Sequence, residues 1–105
     1  MLSPSEHKHL EDYIQGIDVS RLTVAFDALS EPNRCLIFRA LLKKSHVNVG
    51  QLASAVGISQ SLASQHLKTL REARLVEREK RGKSVYYQVN STDSLVGALK
   101  EVVEG

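Results

Sequence analysis

Cysteine is almost missing from this sequence: Cys35 stands alone, so no disulfide can close within the chain. A lone thiol also excludes the paired-cysteine sites that persulfide or disulfide sensing requires. No continuous run of about 18 apolar residues occurs, which argues against a membrane-spanning helix. The start of the chain, Met1-Leu2-Ser3-Pro4-Ser5-Glu6, lacks the basic stretch and apolar core of a secretory signal. Together these absences lead us to expect a cytoplasmic protein with no membrane partner. Repeats, linkers and low-complexity segments are absent too. So are a nucleophile–base pair, a glycine-rich phosphate loop and a metal cluster, and with them the usual signs of an enzyme or of a cofactor.

What is present is a chain of 105 residues, enough for one domain spanning 1–105, with 42% apolar and 25% charged residues. A domain this small leaves part of its apolar surface for a partner. The net charge of +2 conceals a segregation. Residues 1–33 carry a balance of −4, residues 34–83 one of +8, and residues 84–105 one of −2. A basic middle between acidic ends suits a polyanion.

Local signals divide the chain into helices and one hairpin. Ser3-Pro4-Ser5-Glu6 is a capping box with proline at the first helical position; Leu10, Tyr13, Ile14 and Ile17 follow at helical spacing, and Gly16 ends or frays the helix. Ser20 is placed to cap a second helix carrying Leu22, Ala25, Phe26 and Leu29. After Ser30-Glu31-Pro32, a third should bury Ile37, Phe38, Leu41 and Leu42 and turn Arg34, Arg39, Lys43 and Lys44 outward. A short helix over about 49–56 ends at Gly57, suited to the left-handed conformation, and Ser59 can cap the next, over about 60–73. That helix should bury Leu62, Ala63, Leu67 and Leu70. From Leu75 the period falls to two, giving a hairpin with Arg81-Gly82-Lys83 at its turn. Ser91 or Thr92 should cap a last helix bearing Leu95, Val96, Leu99, Val102 and Val103.

Short helix, glycine turn, amphipathic helix and basic hairpin, in that order, make a helix-turn-helix with a wing. We therefore expect a mainly α (α+β) fold, a winged helix-turn-helix with a two-stranded β-hairpin and extra terminal helices. The helix-turn-helix occupies 49–73, the wing 75–90, and dimerisation helices 1–19 and 91–105. A major groove about 12 Å wide admits one helix, whose outer face must offer hydrogen-bonding side chains to base edges. Gln60, Ser61, Ser64 and Gln65 meet that need near the helix start, where the dipole and free N–H groups also suit a phosphate. His66 is a DNA or packing contact. Lys68 and Arg71 are placed for the flanking backbone, and Lys80, Arg81 and Lys83 for a phosphate or adjacent minor groove. Leu10, Tyr13, Ile14, Leu95, Leu99 and Val102 form the expected dimer interface. A protein-interaction module is the competing reading, but its second helix and hairpin tip would tolerate acidic or apolar residues where this tip is basic.

The segment Leu29-Ser30-Glu31-Pro32-Asn33-Arg34-Cys35-Leu36-Ile37 resembles the stretch that opens the corresponding helix in the ArsR/SmtB family of winged-helix repressors. Residues 51–73 are similar to that family's helix-turn-helix, and residues 82–89 to its wing. The resemblance implies a homodimeric repressor paired through its terminal helices, which leaves double-stranded operator DNA when an inducer binds. It also implies where metal ligands would stand. The Cys-x-Cys position falls on Asn48 and Gly50, with no thiolate. The last helix offers Asp93 and Glu104 but no histidine. His7, His9, His46 and Asp93 remain as weak metal candidates, and no metal is expected. His7 and His9, two apart on a helix, point in different directions. Cys35 is expected on the buried side with Phe38 and Leu42 as a packing residue. The sequence leaves the inducer open.

Overall fold

Each helix begins where a polar side chain satisfies free N–H groups. In the computed structural model, which describes residues 1–105, Ser3 opens α1 (Pro4–Gln15) through the expected capping box with Glu6. Asp18 caps α2 (Val19–Leu29) and Glu31 caps α3 (Pro32–Lys43). Asn48 forms a second capping box at α4 (Val49–Val56), with Gln51 as its partner. Ser59 caps α5 (Gln60–Glu72), as its position predicts. Strands β1 (Val76–Arg81) and β2 (Ser84–Val89) follow, and Asp93 caps α6 (Ser94–Glu104). Two caps differ from expectation. Asp18 replaces Ser20, and Asp93 replaces Ser91 or Thr92, because an ionised carboxylate is the stronger acceptor for helix N–H groups.

The strands form one antiparallel pair, with Val76 opposite Val89, Arg78 opposite Tyr87 and Arg81 opposite Ser84. The turn is therefore the two residues Gly82 and Lys83. Gly82 has φ +61° and Lys83 is not among the positive-φ residues, which matches a turn with glycine in its first central position. A single bridge from Val47 to Tyr87 fastens the segment before α4 to the hairpin.

The core sits between α3, α4, α5, the base of the hairpin and α6. Ile37, Phe38, Leu41, Leu52, Leu67, Leu70 and Leu75 are fully buried there. Phe38 alone, at 0% exposure, is worth about 2–3 kcal/mol of transfer free energy. Five packing expectations need correction. Phe26 is 54% and Leu62 36% exposed, so both lie outside the core. Leu99, at 5% exposure, packs into the chain's own core with Leu95 partly buried beside it, and so is no part of an outward interface. Cys35 is only half-buried. Arg34, expected outward, turns back and donates from Nε to the Ala28 carbonyl at 2.6 Å. No helix is long and apolar enough to cross a membrane.

Candidate nucleic-acid interface

α4 and α5 are joined by Gly57-Ile58-Ser59. Gly57 takes φ +85° and ψ +37°, a left-handed conformation that costs a side-chain-bearing residue about 1 kcal/mol. Its N–H closes α4 on the Ala53 carbonyl at 2.8 Å, and the Ser59 hydroxyl then accepts from Leu62 N–H at 3.1 Å. The turn thus fixes the direction in which α5 leaves. α5 buries Ala63, His66, Leu67 and Leu70 and leaves its other side to solvent.

On that solvent side Gln60, Ser61, Ser64, Gln65 and Lys68 are exposed, and Arg71 is half-buried. The uncharged groups occupy the first two turns and the cations follow, a polarity that suits base edges first and phosphate after. Gln60 is less free than its neighbours. Its amide lies over Gly50, where a Cβ would come within 3.3 Å of Nε2 and 3.4 Å of the Asn48 carboxamide oxygen. Gly50 therefore lets Gln60 fold against the start of α4, a contact with no periodic signature.

His66 is the clearest correction on this helix. It is 8% exposed, with Nε2 3.5 Å from the Glu31 carboxylate, whose same oxygen accepts from Arg34 N–H at 2.9 Å. Of the two roles considered, packing is the one its position allows: it ties α5 to the N-terminus of α3 and does not face outward. Leu62, expected among the buried residues of this helix, is 36% exposed. At 100° per residue it falls on the border between the buried and solvent faces, which apolar character alone conceals.

At the wing, Lys80, Arg81 and Lys83 are exposed. Arg81 is already engaged, with Nε 3.0 Å from Glu79 Oε1 and Nη2 3.4 Å from His46 Nε2. His46, in a left-handed conformation at φ +58°, also lies 3.2 Å from Glu79. The hydrogen bond from Arg81 holds the Glu79 carboxyl below its ordinary range. Lys80 and Lys83 have no such partner.

The weak metal candidates are dispersed. His7 pairs with Glu11 at 2.6 Å on exposed α1, near His9 in sequence but on another side of the helix. His46 stands at the wing. Asp93 accepts from Leu95 and Val96 N–H through Oδ1 and from Arg21 through Oδ2 at 2.9 Å. Burial alone would raise its pKa, but the two amides and the guanidinium outweigh it and hold the carboxyl below its ordinary range. No group of three or more His, Cys, Asp or Glu side chains is assembled within the chain.

A capped short helix, a left-handed glycine turn, a second helix with a polar outer face and a basic hairpin define a winged helix-turn-helix protein. The family model for bacterial regulatory proteins of the arsR family matches residues 31–78. Nodulation protein NolR of Rhizobium meliloti is 40% identical over 77 residues, 71% of this chain and 62% of NolR. The transcriptional repressor SdpR of Bacillus subtilis is 34% identical over 83 residues, 76% of this chain and 91% of SdpR. A solved homodimeric winged helix-turn-helix DNA-binding domain from Mycobacterium bovis shares the fold with a TM-score of 0.69, at 23% identity, over 98% of this chain and 84% of that one. The chain belongs to the arsR family of bacterial regulatory proteins. Its class is that of transcriptional regulators, not enzymes.

Proposed function

We propose that the chain binds double-stranded operator DNA as a homodimer in the cytoplasm and represses transcription, with α5 in the major groove and the wing on adjacent backbone. One observation carries this reading. α5 buries Ala63, His66, Leu67 and Leu70 on one face and offers Gln60, Ser61, Ser64 and Gln65, all uncharged and exposed, within its first two turns. Residues 49–73 form the reading unit and 75–90 the wing, with the cations placed for phosphate. A gel shift with genomic promoter fragments tests it. The wild type is expected to retard a subset of fragments, and a Lys80/Arg81/Lys83 triple alanine to retard them far less. Equal retardation by the two proteins would defeat the wing's role.

The dimer rests on unburied surface. α1 contains no buried residue, and Leu10, Tyr13, Ile14 and Ile17 are 46–81% exposed. Val102 on α6 is 77% exposed. These terminal helices are the proposed pairing surface, with Leu99 and Leu95 supporting α6 from within the protomer. Two-fold symmetry then calls for an inverted-repeat operator with half-sites about 34 Å apart.

A further inference from the structure

Away from both the reading helix and α1, the end of α3, the end of β2 and α6 border a half-open cavity of about 370 Å³. That volume lies within the roughly 300–1,000 Å³ usual for small-ligand pockets. Its apolar lining is Leu41, Leu42, Val89 and Val96. Lys43 and Lys100 also line it, and neither ammonium has a carboxylate within ion-pair distance. Glu104, which shares a neighbouring cavity with Lys43 and Arg39, makes no such pair either. Two uncompensated like charges beside an apolar surface repel each other and attract an anion.

Gly97 completes the argument. A Cβ there would meet nothing within 4 Å, and its backbone is helical, so neither packing nor conformation requires glycine. Glycine also weakens a helix interior relative to alanine. Its missing side chain leaves open space at the exposed rim of the cavity that Gly97 lines. At 100° per residue Gly97 and Lys100 share one flank of α6, and Ala98 and Val102 the other, so the cavity stays clear of the proposed pairing surface.

We propose that this cavity binds a small amphipathic carboxylate, its apolar body against Val89, Val96 and Leu42 and its carboxylate held by Lys43 and Lys100. Ser45 and Ser91 add hydroxyl donors at the lining. The site stands independently of DNA binding, and its test uses no DNA.

Calorimetric titration of the full chain with 2-naphthoate, and with the neutral isostere 2-naphthamide, reads the site directly. Saturable binding of one naphthoate per chain is expected, with the amide at least about tenfold weaker, a difference of about 1.4 kcal/mol. Gly97→Leu, which fills that space, is expected to abolish binding while Gly97→Ala retains it. The double variant Lys43→Gln/Lys100→Gln is expected to bind at least about tenfold more weakly, and it serves if the leucine disturbs α6, as thermal melting would show. Equal binding of acid and amide overturns the proposal. So does undiminished binding by a folded Gly97→Leu or by the double variant, or the absence of saturable heat with the wild type at millimolar ligand.

Discussion

Two side chains on the same surface can act on DNA in different ways, and the difference is measurable one residue at a time. Gln65 is uncharged and exposed on α5, so its amide can distinguish base edges but adds nothing to attraction for phosphate. Gln65→Ala is expected to cost about 1–3 kcal/mol on the operator and little on random DNA, measured by fluorescence anisotropy on both. Asp93 acts through stability instead. Its folded pKa is depressed, so its contribution is complete above the unfolded value of about 3.9 and fades as pH falls through the lower folded value. Asp93→Ala removes both the α6 cap and the partner of Arg21, whose Nη1 is already buried without a hydrogen bond. We expect a loss of about 2 kcal/mol at pH 7, a melting point lower by roughly 8–16 °C, and a gap between mutant and wild type that narrows as pH falls below about 3.9. A gap that does not narrow in acid would place the effect elsewhere.

At the scale of elements, the wing is a lever with unequal charges. Arg81 is held by Glu79 and His46, whereas Lys80 and Lys83 are free. If each free lysine meets one phosphate in each protomer, the triple alanine is expected to flatten the slope of log K against log salt by about 4. Arg81→Ala alone is expected to change it less than Lys83→Ala. An altered sequence preference at Lys83→Ala with an unchanged slope would mean that the tip reads bases. The turn itself shows how far sequence reaches. α4, α5 and the hairpin were legible from the cap Ser59, the glycines Gly57 and Gly82, and the switch of period after Leu75. These signals are local, and each names a backbone geometry. His66, Gln60 and Arg81 were not legible in their roles, because Glu31, Gly50 and His46 reach them only through tertiary packing. The same limit misplaced Leu62 and Leu99: helical spacing gives a face, but which face meets the core depends on the neighbours. Asp18 and Asp93 were passed over as caps for nearby hydroxyls, a local competition decided by charge.

At the scale of the molecule, the radius of gyration is 17.3 Å, against about 13 Å for a compact chain of this length. The excess is α1, which has no buried residue and projects from the body to give an extent of 61 Å. Association is the expected remedy. Sedimentation of the wild type should show a dimer at micromolar concentration, and Ile14→Glu, which places a charge in the proposed seam, should show a monomer with much weaker operator binding. A wild-type monomer that binds its operator tightly would defeat the reading.

That projecting helix carries a consequence for spectroscopy. Twelve residues are too few to hold a helix firmly in water, even with the capping box that Ser3 and Glu6 provide. With no buried residue in its own protomer, α1 is expected to draw its order from the proposed partner, and ellipticity at 222 nm then to depend on dilution. On stepwise dilution below the dissociation constant, the signal per residue should fall by roughly the share that 12 residues represent of the 67 in helices, while amides of the core, such as those of Phe38 and Leu70, stay protected from exchange. A flat signal across that range would mean that α1 is ordered before the partner arrives.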